Sequence, residues 1–353
     1  MFRIKISILL GAVLAVSACS ENQIALQDVQ VIGSHNSYKI PIEPALFEYL
    51  KTVDSSRANA LQYGHISVEA QLDLGLRNLE FDVFHDPLGG RYSSPKGLDI
   101  VKASGDKPLV FDKEQKLQTP GLKMFHIQDI DFRSHHLVFK EGLETLKKWS
   151  DANPNHSPIY ILINAKDQKI VGTTEPLPFT KEALDNIDVE IKSVFSDDKL
   201  ITPDLVRGDF ETLEAAILAK GWPKLSAVKG RFLFVLDEKE EKINRYIENH
   251  AALKNRILFV NSKEGKPEAA FRIVNDPIKD FNYIQELVAK GYMVRTRADA
   301  STKEARTANY DRFEKAKASG AQVISTDYYS PSTLFPSTFE INFGKGTYEK
   351  IKN

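Results

Sequence analysis

Asn78-Leu79-Glu80-Phe81-Asp82-Val83-Phe84 alternates polar and apolar residues up to Val83, so one face of a β-prone run carries Asn78, Glu80 and Asp82. Leu79, Phe81 and Val83 make the other face. Burying charge in such a run is costly unless a partner offsets it, which marks Glu80 and Asp82 as site residues. The apolar face is expected to meet helices and the acidic face to point inward. Seven further strand-like runs accompany this one: 29–33, 122–127, 159–164, 231–236, 257–260, 292–297 and 321–326. Several are nearly continuous apolar stretches, as parallel strands covered on both faces should be. Helical patterns at 67–76, 140–149, 181–195, 209–220, 280–290 and 302–319 lie between many of them. Gly75, Gly221, Gly291 and Gly320 stand where those helices should stop. Eight strands with helical crossovers predict an α/β fold, a (β/α)₈ TIM barrel, with an open doubly wound sheet as competitor. The segment between Val83 and Leu122 shows no convincing helix and reads as a long loop over the barrel mouth.

Before the barrel, Phe2-Arg3-Ile4-Lys5 and an apolar run from Ile6 to Val16 lead to Val16-Ser17-Ala18-Cys19, a secretory signal too short to span a membrane. Its ending resembles a bacterial lipobox, and Cys19, the only cysteine of the chain, reads as the lipid-anchored residue. Residues 1–19 are therefore expected to be a lipoprotein signal, 20–28 a tether and 29–345 a single catalytic domain. The expected location is the bacterial cell envelope, in the outer membrane of a Gram-negative organism because no Asp follows Cys19. A formal net charge of −1 gives no electrostatic case for nucleic acid as a partner.

In a barrel, residues at the carboxyl ends of the strands form the site. His35-Asn36 closes the first strand, His126 the third, Asn164 and Lys166 the fourth, and Arg295 and Arg297 share one face of the seventh. Neither a Gly-x-Ser-x-Gly elbow nor a reactive cysteine is present for acyl transfer. The set suits a phosphodiester instead. A divalent cation on Asn36, Glu80 and Asp82 can neutralise a phosphoryl oxygen and acidify an attacking hydroxyl. His35 can take the proton, His126 can donate to the developing phosphorane charge, and the arginines can hold the anion. Oxygen-only ligands favour Ca²⁺, with Mg²⁺ as second choice.

Gly33-Ser34-His35-Asn36-Ser37-Tyr38, Gln71-Leu72-Asp73-Leu74-Gly75-Leu76-Arg77 leading into Glu80-Phe81-Asp82, His126-Ile127-Gln128-Asp129-Ile130-Asp131-Phe132 and Asn164-Ala165-Lys166-Asp167 resemble the bacterial calcium-dependent phosphatidylinositol-specific phospholipase C family. Arg295-Thr296-Arg297-Ala298-Asp299 and Ser325-Thr326-Asp327-Tyr328-Tyr329 extend the resemblance towards the C-terminus. It implies a PLC-like phosphodiesterase barrel in which His35 and His126 catalyse and Asn36, Glu80 and Asp82 bind calcium. It also implies substrate contacts from Lys166, Arg295, Arg297 and Tyr328, and an inositol phospholipid substrate. Attack by the inositol 2-hydroxyl would release diacylglycerol and a cyclic inositol phosphate. Two departures stand out. Asn164 occupies the place where eukaryotic relatives put a metal-binding glutamate, so either Asn164 or Asp167 completes the set. His126 lies 44 residues after Asp82, leaving His85 as the rival second histidine. A glycerophosphodiester phosphodiesterase and a non-catalytic sugar-phosphate-binding lipoprotein are the alternative functions.

Overall fold

The structure is a computed structural model describing residues 23–352. The expected signal and Cys19 anchor lie outside the described residues. Among the described residues no helix is long and apolar enough to cross a membrane. Of the expected tether, residues 24–28 are docked on the barrel floor: Leu26 is buried, and Leu225 N donates to the Ile24 carbonyl at 2.9 Å.

The strands are β1 (Val29–Ser34), β2 (Asn78–Phe84), β3 (Lys123–Met124), β4 (Ile159–Ala165), β5 (Phe232–Leu236), β6 (Phe259–Val260), β7 (Phe271–Ile273), β8 (Met293–Arg297), β9 (Val323–Thr326) and β10 (Glu349–Ile351). Parallel neighbours run β6-β5-β4-β2-β1-β9-β8-β7, and a parallel bridge between Asn261 and Phe271 joins the two ends. The result is a nearly closed eight-stranded TIM barrel. Two of its strands differ from the expectation. The apolar run 122–127 is not a barrel strand; Lys123 and Met124 pair antiparallel with Phe84 and Val83 at the upper end of β2. The eighth position is filled by β7, whose three residues include Arg272 and are too short to show a period.

β2 alternates as its sequence dictates. Phe81 packs edge-on against Phe139 of the helix Phe139–Ala152, while Glu80 reaches Arg295 across the interior. β4 runs in register beside it, pairing Asp82 with Asn164. β1 meets β2 at one register pair, Gly33 with Asn78. A Cβ on Gly33 would lie 1.9 Å from the Asn78 carbonyl oxygen, so only glycine permits that approach. Below this contact β10 pairs antiparallel with β1 and covers its edge. Gly75, Gly221, Gly291 and Gly320 all have positive φ just past helix ends, as expected.

The segment from β2 to β4 is richer than a bare loop. It contains the helix Lys96–Ala103, packed through Val101 on Leu46 and Phe132. The helix Pro44–Ala60, also unpredicted, buries only Leu46, Phe47 and Ala58, which leaves little apolar periodicity to read.

Candidate active site

The ends of β1, β2, β4, β8 and β9 and the excursion that carries His126 supply the side chains of the mouth. Ser34 ends β1, and Asn36 has a left-handed backbone (φ 51°) that asparagine tolerates. That turn sends the adjacent His35 and Asn36 side chains to different partners. The first goes to β9: His35 Nδ1 lies 2.8 Å from Oδ1 of Asp327, a carboxylate that is almost fully buried. A carboxylate only accepts, so Nδ1 carries the proton. Arg297 Nη1, which only donates, faces His35 Nε2 at 3.2 Å, placing the lone pair there. His35 is thereby held as the tautomer that can accept a proton at Nε2.

Asp327 is itself positioned by Asp299, which accepts from the Asp327 N–H at 3.0 Å and from the Thr326 hydroxyl. Burial raises the Asp327 pKa, but His35 and Arg297 outweigh it and hold the carboxyl far below its ordinary range. Asp299 goes the other way, pushed up to about 7 by burial and by the charge on Asp327. Two adjacent acids thus divide the work: one stays ionised beside the histidine and the other holds it in place.

His126 repeats the arrangement on the far side of the mouth. Its Nδ1 meets Asp131 Oδ2 at 2.7 Å, and Lys39 Nζ lies 3.1 Å from the second oxygen. Burial again opposes ionisation, yet Lys39 and His126 lower the Asp131 pKa. The ring of Tyr63 neighbours both histidines, its centroid 6.0 Å from His35 and 6.4 Å from His126. Its hydroxyl accepts from Asn36 Nδ2 at 2.7 Å. The rival His85 packs instead on Phe179, at 6.0 Å.

The remaining expected residues are distributed unequally. Lys166 Nζ lies 3.3 Å from Asp82 Oδ2, and although burial opposes its charge, Asp82 raises its pKa. Arg295 is buried below the mouth, its guanidinium engaged by Glu80, Asn275 and the Ser325 hydroxyl. Burial raises the Glu80 pKa, but Arg295, His35 and Arg297 bring it below the usual value. Tyr328, expected to contact substrate, is buried and packs its ring on Phe335 and Phe339. Asp327, Asp131, Asp299, Tyr63 and Lys39 were not assigned roles from the sequence. Asp327, Asp299 and Asp131 do sit inside the family-like blocks; the five-residue spacing from His126 is a signal that could have found Asp131, whereas Asp327, 292 residues from His35, carries none.

Residues 24–353 match the family model described as phosphoinositide phospholipase C, Ca²⁺-dependent. The chain belongs to that family. This phospholipase C is similar in fold to the calcium-dependent phosphoinositol-specific phospholipase C of a Gram-negative Pseudomonas species, with 16% identity over 94% of this chain and 97% of that one and a TM-score of 0.58. It is similar also to the Ca²⁺-dependent phosphatidylinositol-specific enzyme of Streptomyces antibioticus, with 16% identity, 90% and 99% coverage and a TM-score of 0.53. No curated protein sequence matches the chain.

The donor set of this phospholipase C fits the calcium named by its family. Asn36 Oδ1 is buried without a hydrogen-bond partner while its amide nitrogen is tied to Tyr63, which leaves a carbonyl-type oxygen available in the mouth. Glu80, Asp82 and Asn164 supply further hard oxygens from β2 and β4. The groups nearest the carboxylates are cations of the chain itself, Arg295 on Glu80 and Lys166 on Asp82. Among the described residues no cluster of three or more His, Cys, Asp or Glu side chains forms a metal site.

Proposed function

We propose that this phospholipase C cleaves phosphatidylinositol-type lipids by intramolecular attack of the inositol 2-hydroxyl, giving diacylglycerol and a cyclic inositol phosphate. The observation that carries this reading is the pair of histidines, each with Nδ1 on a buried aspartate and each within ring-contact distance of Tyr63. His35 Nε2 takes the hydroxyl proton as the new O–P bond forms. His126, oriented by Asp131, donates from Nε2 to the phosphoryl oxygen and hands the proton to the departing glyceryl oxygen. Arg297 holds His35 in place and faces the anionic phosphate. Ca²⁺ bound by Asn36, Glu80, Asp82 and Asn164 would neutralise charge on the phosphoryl oxygen and lower the pKa of the hydroxyl.

A cavity of about 640 Å³ opens beside β4, β5 and β7, lined by Asn164, Lys166, Asp237, Glu238, Lys242 and Asn275 among others. Its charges are largely paired, Lys242 with Asp167 and Glu238, which favours a hydroxyl-rich ring over a highly charged one. We place the inositol head group there, with Lys166 on a ring hydroxyl or the phosphate. We also propose that residues 1–19 direct export and that Cys19 carries the lipid anchor; Cys19→Ser should move the chain from the membrane to the soluble envelope fraction.

The test is release of water-soluble inositol phosphate from phosphatidylinositol, with calcium and with chelator, and ³¹P detection of a five-membered cyclic phosphate. Full activity in chelator removes the metal from the scheme. Turnover of deacylated head groups in preference to intact lipid would favour a glycerophosphodiester phosphodiesterase, and binding without turnover a non-catalytic protein.

A further inference from the structure

Residues 23–28 precede β1 on the barrel floor, the face opposite the mouth, and they are firmly fastened there. Leu225 N–H donates to the Ile24 carbonyl and Leu26 N–H to the Pro223 carbonyl, both at 2.9 Å, and Ala25 bridges Lys224. Trp222 N–H donates to Gln27 Oε1 at 2.6 Å, and Lys224 Nζ donates to the Gln23 carbonyl at 2.6 Å. Leu26 is 1% exposed and belongs to the main core. Peeling this segment away would uncover Leu26 and orphan the backbone of the loop that leads into β5, so the chain is fixed from Gln23 onward.

Only residues 20–22 then separate Cys19 from the docked Gln23. Four residue steps reach at most about 14 Å when fully extended. The distance to the site is greater. β1 runs from Val29 at the floor to Ser34 at the mouth, and His35 follows it. At about 3.3 Å per residue and a strand tilt of about 36°, His35 stands about 16 Å above Val29 along the barrel axis. Gln23 starts lower still, held by Lys224 well before β5 begins, and the segment 85–122 leaves from the upper end of β2. A bilayer that holds Cys19 therefore cannot also meet the mouth. Lying on the barrel's flank does not bring them together, because the ring of helices, each about 10 Å across, keeps the strand ends off the surface.

We infer that the chain, when held at Cys19, turns its mouth away from the bilayer that carries it and cleaves lipid in a facing bilayer. This rests on the proposed anchor and the proposed lipid substrate. Tethering an enzyme to a surface ordinarily raises its effective concentration towards that surface, and the gain vanishes where geometry forbids both engagements at once. The docked segment and the three residues before it thus spare the carrier membrane. They set where the enzyme works, while the pocket sets what it accepts.

The full chain, coupled through its only thiol, Cys19, to a maleimide lipid, tests the inference. The carrier vesicles and a separate set of the same composition hold phosphatidylinositol with different radiolabels. Hydrolysis should be at least about tenfold slower in the carrier vesicles than in the separate ones. A flexible Gly-Ser linker of about 30 residues, inserted between Glu21 and Asn22, spans about 30 Å and should reverse that order while turnover of soluble short-chain phosphatidylinositol is unchanged. Orientation also has a readout that needs no catalysis. Trp149, near the end of the helix Phe139–Ala152, and Trp222, bonded to Gln27, both sit at the floor, so both should transfer excitation to a dansyl lipid in the carrier vesicles. Leu88→Trp adds an indole at an exposed position of the mouth, which should transfer markedly less. Equal hydrolysis in the two vesicle sets overturns the inference, as does a linker that leaves their order unchanged, or transfer from position 88 equal to that of the floor pair. Silence on every substrate refutes the proposed function, and a Cys19→Ser chain that stays in the bacterial membrane fraction refutes the proposed anchor. Maleimide coupling depends on neither, so energy transfer still decides the orientation.

Discussion

His35 and His126 each place Nδ1 on a buried aspartate, at 2.8 and 2.7 Å, yet the first pair is built from barrel strands and the second from the segment that leaves the barrel. His35, Asp327 and Arg297 come from the ends of β1, β9 and β8, neighbours locked by parallel ladders. His126 and Asp131 lie in a short excursion closed on itself by a two-residue bridge, Ile127 with Asp131, and tied to the first strand's exit through Lys39. Strand ends provide rigid positions at the price of fixed spacing; an excursion can be placed freely but must be fastened. The fastening is visible as two histidine rivets. His65 Nε2–H donates to the His35 carbonyl at 2.7 Å, and His135 Nε2–H donates to the His65 carbonyl at 2.8 Å.

The largest effect is expected on the strand-built side. Asp327→Asn removes the charge beside the histidine and frees its tautomer, and kcat on phosphatidylinositol should fall about 10⁴-fold. His35→Ala should fall at least as far, with circular dichroism unchanged. Near-normal kcat in either variant would falsify the base assignment. On the excursion side, Asp131→Asn or His126→Ala should cost about 10³-fold in kcat. A loss with His85→Ala equal to that of His126→Ala would reverse the choice between these histidines. Lys39→Met should resemble Asp131→Asn because it removes the partner that keeps Asp131 ionised.

Legibility divides along the same line. β2 and β4 were readable because β2 alternates over seven residues and β4 runs apolar for its first five, and the charges on β2 had to face the interior. The run 122–127 places Leu122, Met124, Phe125 and Ile127 around Lys123 and His126, a strand-like pattern from which composition could not reveal that it folds back antiparallel on β2 instead of entering the barrel. β7 was missed because three residues carry no period, and the helix Lys96–Ala103 because it covers a small satellite core. His35, Asn36, Glu80 and Asp82 could be named from strand ends and from the family-like blocks. Asp327, 292 residues from His35, could not be paired with it without the fold. Arg295 shows the opposite case, since its face was readable but not that Glu80, Asn275 and Ser325 consume its donors.

The rivets offer a pH test of how the two regions are joined. His65 donates from Nε2, so its buried Nδ1, which has no hydrogen-bond partner, must stay unprotonated, and burial lowers its pKa to about 4. In the unfolded chain it titrates near about 6.5. Between these values the unfolded chain binds a proton that the folded one refuses. Stability therefore falls as pH drops from about 6.5 towards 4, by about 3 kcal/mol from this group. His65→Gln keeps an Nε2 donor for the His35 carbonyl and cannot titrate. Urea unfolding at a series of pH values should show its stability changing less over that window than the wild type's. An unchanged slope would mean that His65 accommodates the proton and is no fixed rivet.

The smallest effect concerns the metal, and it belongs to the strand-built side alone. Asp82 faces Lys166 at 3.3 Å and Glu80 faces Arg295, so a divalent ion approaching these carboxylates meets two cations already in place. Arg295 is buried and held by three partners, which makes it part of the frame. Lys166 is partly exposed and held by Asp82, so it is the cation that can yield. Removing its charge should raise affinity for Ca²⁺, because two like charges near one carboxylate repel even in a high effective dielectric. Lys166→Met keeps the side chain's length and should tighten calcium binding about tenfold in calorimetry without substrate. Asn164→Asp, which adds charge on the neighbouring strand, should do the same by a different route. If neither variant binds calcium more tightly than the wild type, the ion does not sit between β2 and β4, and the strand-built side supplies only the proton-transfer machinery.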